Sequence, residues 1–375
     1  MPLLEKKPFK KNGRSRLGDL LAVLLLLAIL VSLGWLWFHQ KHPKQRAHKI
    51  SAVNSVAVVT APAPAEQLKA PAEKLPPKPI IIPPSPATDF PRPVRDVFEA
   101  QIALVRRGIS PGSLDAAIGS QTRAAIAAFQ RAQKLSESAT LDTNTRAMLA
   151  LDAPLLTTYT VTTNDLARLQ PIGKTWLEKS AQSALDYETL LELVAETAHA
   201  HPLLIQKLNP GVNWTNVAAR TSLKIPDVEY PEPSGKAAFV IIHLSQKFLE
   251  AFDAQTNLLL HCPCSIAAKV AKRPIGELHV AVVAPDPNYT FDPAVFPESP
   301  EAQAIGHKLI LPPGPNNPVG LAWIGLDKPG YGLHGTPVPE QVGRTESHGC
   351  FRLANWDATF LVKFVWIGMP VTVVP

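Results

Sequence analysis

The chain reads as a multidomain protein with an N-terminal transmembrane helix, a Pro-rich linker, a small all-α three-helix domain, an α+β domain and a mostly β C-terminal domain. Three observations predict this order. Leu17–Phe38 is a 22-residue apolar run with one charge near its start, and about 20 such residues cross a hydrocarbon core. Eleven prolines fall within the 34 residues Thr60–Pro93. Beyond them the apolar spacing changes from helical, around residues 95–151, to β-type runs after residue 236. At roughly 100–200 residues per domain, 375 residues suit two or three folded units.

The formal charge of +6 first suggests an anionic partner. Residues 1–50, however, hold ten Lys/Arg against Glu5 and Asp19, and the rest of the chain carries −2. The positive charge flanks the apolar run and requires no nucleic acid. Basic residues before the run favour a cytoplasmic N-terminus, and Trp35, Trp37 and Phe38 suit the far interface. His39-Gln-Lys-His-Pro-Lys-Gln-Arg46 follows in place of a small-x-small cleavage site, so an uncleaved signal anchor is expected. Residues 1–16 are then a cytoplasmic tail, 17–38 the anchor and 39–94 the linker. In polyproline II form the proline-rich part reaches on the order of 100 Å from the bilayer.

Residues 95–151 predict three helices. Val94, Phe98, Ile102 and Val105 recur at helical spacing, and Gly108 supplies a left-handed stop. A second helix is expected from about Gln121 to Lys134, with Ile126 and Phe129 on one side, and Asp142 can cap a third that carries Met148 and Leu149. Through Gln101, Leu104, Gly108, Asp115, Gly119, Thr122, Ala125, Phe129, Gln130, Asp142, Thr145 and Leu149 this unit resembles the peptidoglycan-binding domain 1 family.

Residues 155–228 predict the order strand, helix, helix, strand. They open with β-branched Thr157–Thr163, continue through Leu190, Leu191, Val194 and Ala198, allow Pro202 in a first helical turn and end in Ser222–Pro226. With Tyr159-Thr-Val161, Leu208-Asn-Pro210 and Leu223-Lys-Ile-Pro226 the segment is similar to a diverged LysM glycan-binding domain. Asn164-Asp165 replaces the usual Gly-Asp, and Arg220-Thr-Ser222 stands where a glycine is expected.

Residues 236–375 hold the candidate chemistry. The β-type runs are Ala237–Asp253, Asn257–Ala267, Gly276–Pro285 and Met369–Pro375, with a helix expected from Asn355 to Trp366. Among them lies Ser347-His-Gly-Cys-Phe-Arg352, and sixteen residues before Cys350 comes His334-Gly-Thr336. A cysteine attacks as thiolate, scarce for a free thiol near neutral pH, so an imidazole must take its proton. His334 and His348 are the candidates. An extended Cys350 segment would send His348 and Cys350 to one face. The amides of Gly349 and Cys350 could hold an oxyanion, and Arg352 a substrate carboxylate.

These motifs closely resemble the L,D-transpeptidase (YkuD) family, whose signature is HG[TS] followed by SHGCxR. Supporting pieces are Arg273-Pro-Ile-Gly276, with Arg273 in place of the common Ser/Thr, the Pro313–Gly320 loop, and Tyr331. The resemblance implies Cys350 as nucleophile and His334 as proton donor and acceptor, oriented through its other ring nitrogen by Gly335 or Thr336. His348 becomes a structural or substrate-side partner, and Tyr331, Gly335, Thr336, Ser347 and Asn355 contact substrate. The implied reaction releases D-Ala from a tetrapeptide stem through a Cys thioester and joins the stem to another. Water as acceptor would make an L,D-carboxypeptidase, and a silent site would leave a wall-binding anchor. No cofactor or metal is implied. The implied partners are peptidoglycan stem peptides and glycan strands, with the helix in the inner (cytoplasmic) membrane and the catalytic domain in the periplasm or cell wall.

Cys262 and Cys264 flank Pro263 and read as small buried hydrophobes, since a bridge across one residue would be strained. Pairing of either with Cys350 would silence the thiol in an oxidising compartment. His243, His261, His279 and His307 lack metal-ligand spacing. Trp323 and Trp356 suit either packing or a substrate wall.

Overall fold

The computed structural model describes residues 90–345 and 349–375. The apolar run Leu17–Phe38, the linker up to residue 89, and Ser347 and His348 lie outside the described residues. Among the described residues no helix is long and apolar enough to cross a membrane.

Helix α1 (Val97–Val105) starts where the Asp96 carboxylate accepts the Glu99 N–H at 2.9 Å. Helices α2 (Ser120–Ala132) and α3 (Thr143–Met148) follow, the last capped by Asp142, which accepts Thr145 N–H at 2.8 Å. Gln101 and Gln130 are fully buried. Their side-chain amides hold the connecting loops: Gln101 Oε1 accepts Ala116 N–H and Gln130 Oε1 accepts Ala139 N–H, each at 2.9 Å.

The next segment pairs β1 (Leu156–Thr160) antiparallel with β2 (Ser222–Pro226), in register from Leu156 opposite Pro226 to Thr160 opposite Ser222. Four helices separate the strands where two were expected: α4 (Thr163–Arg168), α5 (Trp176–Ser180), α6 (Leu190–Thr197) and α7 (Pro202–Leu208). The additional α4 and α5 are too short to carry an apolar stripe. Both are set by capping boxes, Thr162 with Asp165 and Thr175 with Glu178.

The C-terminal segment builds an eight-stranded sheet from β3 (Phe239–His243), β4 (Phe248–Phe252), β5 (Leu258–Pro263), β6 (Gly276–Pro285), β9 (Ala322–Leu326), β10 (Gly332–His334), β11 (Phe351–Arg352) and β12 (Pro370–Val374). Their order is β11-β10-β9-β6-β12-β3-β4-β5. The β3–β12 and β10–β11 pairs are parallel and the other neighbours antiparallel. Between β6 and β9 the chain makes an excursion through β7 (Tyr289–Phe291), α8 (Pro300–Ile305) and β8 (Leu309–Leu311). Helix α9 (Asn355–Phe364) packs Ala358, Phe360, Leu361 and Phe364 into the sheet's core.

The segments are less independent than their sequences suggest. Residues of the three-helix and strand–helix units, from Val94 and Phe98 to Leu223 and Ile225, share one apolar core. The loop after α1 then extends the sheet: Ser110 N–H donates to His261 O at 2.7 Å and His261 N–H to Gly108 O at 3.0 Å. This covers β5, an edge strand whose free polar groups would otherwise invite association. Arg131 of α2 also pairs with the buried Glu250 of β4.

The same junction buries Asp357 completely, its oxygens accepting the hydroxyls of Tyr230 and Ser110. Burial raises this carboxyl to about 7. The folded chain therefore keeps a proton that the unfolded chain releases near pH 4, and this contribution to stability falls as pH rises from 4 to 7, by up to about 1.4 kcal/mol per unit. Asp357→Asn should flatten that slope in urea titrations at stepped pH. An unchanged slope would contradict the assignment.

Candidate active site

The parallel pair β10–β11 sets Leu333 beside Phe351 and His334 beside Arg352. Side chains alternate along a strand, so the first pair faces one way and the second the other. Leu333 and Phe351 enter the sheet core, whereas Cys350, immediately before β11, packs with Trp323 and Tyr289. His334, Cys350 and Arg352 thus share a face, although they come from strands sixteen residues apart. Leu353 N–H donates to His334 O at 2.8 Å and continues the pairing.

Nδ1 of His334 lies 2.6 Å from Gly335 O. A carbonyl only accepts, so Nδ1 carries the proton and Nε2 keeps its lone pair. Of the two expected orienters, Gly335 holds the ring. The Thr336 hydroxyl instead accepts Val338 N–H at 3.4 Å. Trp323 stacks on the imidazole, with ring centroids 5.7 Å apart. The indole fits because Gly332 is bare: a Cβ there would lie 2.7 Å from its ring carbons. Trp323 is therefore a packing wall for the histidine.

The thiol donates toward Gly330 O at 3.5 Å. Burial pushes it up to about 12, against the opposing pull of Gly332 N–H and Arg352. Burial brings His334 down to about 4, partly offset by its bond to Gly335 and reinforced by Arg352. Between those limits the thiol and the imidazole are both neutral at rest. Alkylation of Cys350 by iodoacetamide, mapped by mass spectrometry, should be slow at pH 7 and rise about tenfold per pH unit to at least pH 9. A plateau between pH 5 and 8 would instead reveal a preformed ion pair.

Arg352 Nη2 donates to Thr345 Oγ1 at 3.2 Å, which steers the guanidinium along the loop before Cys350. Gly349 is buried next to Cys350, and Tyr331 is half-buried with Lys328 over its ring. Ser347 and His348 lie outside the described residues. Cys262 and Cys264 are free and fully buried, and burial raises both thiols, Cys264 to about 12 and Cys262 well above the ordinary thiol value.

Asn355 requires a correction. Expected at substrate, it is fully buried and all its polar capacity goes to the framework. Oδ1 accepts Thr336 N–H at 3.0 Å and Leu321 N–H at 3.2 Å, while Nδ2 donates to Glu196 Oε1 at 2.9 Å and Pro315 O at 3.2 Å. One amide thus ties the histidine loop to the loop before β9 and to α6. Gly335 is a glycine for the same reason, since a Cβ would collide with Asn355 Oδ1.

A cysteine and an oriented histidine on one face of a mostly β domain are groups that thiol-dependent acyl transfer can use. Residues 237–373 match the family model of the L,D-transpeptidase catalytic domain, YkuD, and residues 94–149 that of a "Putative peptidoglycan binding domain". The C-terminal segment is an L,D-transpeptidase catalytic domain, preceded in the same chain by a peptidoglycan-binding-type domain. "Putative L,D-transpeptidase YkuD" of Bacillus licheniformis is 27% identical over 188 residues, 50% of this chain and 94% of that protein. "Probable L,D-transpeptidase YbiS" of Escherichia coli K12 is 29% identical over 166 residues, 44% of this chain and 53% of that protein, so the match spans about half of YbiS. A solved L,D-transpeptidase from Xylanimonas cellulosilytica aligns over 77% of this chain and 100% of its own, at 15% identity and a TM-score of 0.32.

Proposed function

We propose that the protein is a membrane-anchored L,D-transpeptidase that cross-links or remodels peptidoglycan. The observation that carries this reading is the His334 ring, fixed by Gly335 O with Nε2 free to act on the same sheet face as Cys350. Cys350 Sγ attacks the carbonyl of the third residue of a tetrapeptide stem, and the thiol proton passes to His334 Nε2. The oxyanion is held by the amides of Gly349 and Cys350. The C–N bond to D-Ala breaks as His334 returns the proton to the departing amine, leaving a thioester on Cys350. The amine of another stem attacks that thioester, its proton passes through His334 to the sulfur, and a 3→3 cross-link is released.

Leu17–Phe38 anchors the chain with its N-terminus in the cytoplasm, and the Pro-rich linker carries the folded part to the wall. The antiparallel β1–β2 pair enclosing helices supports a diverged LysM-like glycan contact at residues 155–228. Mass spectrometry of the full chain in detergent, incubated with tetrapeptide muropeptides, tests the chemistry. Dimers and a Cys350 thioester are expected, both lost in Cys350→Ala. Tripeptide monomers alone would assign water as acceptor, and no change in the muropeptides would overturn the reading.

A further inference from the structure

A cleft of about 440 Å³ opens where the three folded segments meet, and neither Cys350, His334 nor Arg352 lines it. One wall is α6 and the residues before it, another is Pro337–Glu340, which directly follows the histidine loop, and the others include Ser113 and Trp356 of α9. Glu188, Glu192, Glu196 and Glu340 line it together with one lysine, Lys179, and burial raises the Glu192 and Glu196 carboxyls, the latter to about 8. Two of the four are engaged: Glu192 accepts Asn316 Nδ2 at 2.6 Å and Glu196 accepts Asn355 Nδ2 at 2.9 Å. Glu188 and Glu340 take no side-chain hydrogen bond or ion pair among the described residues.

A second observation is independent of this charge. The Ser113 hydroxyl and the Trp356 indole N–H are buried without a hydrogen-bond partner, in side chains only 9% and 7% exposed that both line the cleft. A buried donor without an acceptor is costly and in native proteins calls for a partner. Surplus carboxylates therefore share one cleft with unused donors and a lysine.

We propose that this cleft binds a zwitterionic peptide end, its ammonium taken by Glu188 and Glu340 and its carboxylate by Lys179, Ser113 and Trp356. Resting on the transpeptidase reading, the occupant is a second stem peptide, held by the accessory segments outside the Cys350 centre. The site adjoins the chemistry through the frame already described, since Glu196 holds Asn355, and Asn355 holds Thr336, two residues from His334.

The test is calorimetric titration of the full-length Cys350→Ala chain with the peptide acetyl-L-Ala-γ-D-Glu-L-Lys-D-Ala, whose only ammonium is on the lysine side chain. Acetylating that ammonium should weaken binding at least tenfold, and Glu188→Gln with Glu340→Gln at least fivefold. Binding should also change the tryptophan fluorescence, and Trp356→Phe should remove that change. Equal affinity of the acetylated peptide, or unaltered affinity of the double variant, overturns the proposal, the latter being the result for a peptide seated only at residue 350. The two readings fail separately. A Cys350 thioester in the unsubstituted enzyme without cleft binding sinks only the cleft, whereas cleft binding without a thioester sinks only the transpeptidase reading.

Discussion

His334→Gln is expected to slow acylation of Cys350 by about 10³-fold, within the range for loss of a positioned general base. Glutamine can still donate to Gly335 O, but it has no ring nitrogen to accept the thiol proton. The loss should be large because the thiol is pushed up to about 12 and supplies almost no thiolate unaided at neutral pH. Single-turnover mass spectrometry with a tetrapeptide donor measures it. The residual rate should climb about tenfold per pH unit as hydroxide replaces the base. A loss below tenfold would show that His334 is not the base and turn attention to His348.

Asn355→Ala should lower stability by about 3–5 kcal/mol, because two amide N–H groups, a carbonyl and a buried carboxyl lose their partner together. Burial already raises Glu196 to about 8 despite its bond to Asn355. Removing that donor leaves a lone acid beside the histidine loop. Asn355→Asp should not rescue, since it keeps an acceptor but replaces the donor that Glu196 uses. Urea midpoints read the stability, and Cys350 alkylation reads the local consequence, expected to accelerate as the loop at Gly335 loosens. A change below about 1 kcal/mol would mean the loops hold without this amide.

Much of the local architecture was legible. Asp142 as a cap, Gly108 as a stop, Pro202 in a first turn and the β-type runs of the last 140 residues all lie where their chemistry places them. The short helices α4 and α5 were missed because their only signal is a Thr-x-x-Asp or Thr-x-x-Glu capping box. Ala237–Asp253 is one β-type run in the sequence, and Leu244–Lys247 turns it into two strands.

The candidate site divides in the same way. The sequence by itself determined which residues could carry thiol chemistry, because the Cys350 and His334 motifs are short and contiguous. Helix ends and strand alternation were likewise readable, since they depend on atoms within about four residues of each other. Only the tertiary structure decided that Gly335 rather than Thr336 orients the imidazole, that Trp323 braces it, and that Asn355 is a tie rather than a substrate contact. Tertiary packing also merged the two accessory segments into one core and opened an acidic cleft against the catalytic domain. Those outcomes depend on partners such as Glu196 and Asn355, 159 residues apart, or Ser110 and Asp357, 247 residues apart. No local periodicity records such pairs, because their hydrogen bonds exist only once burial has removed water as the competing partner.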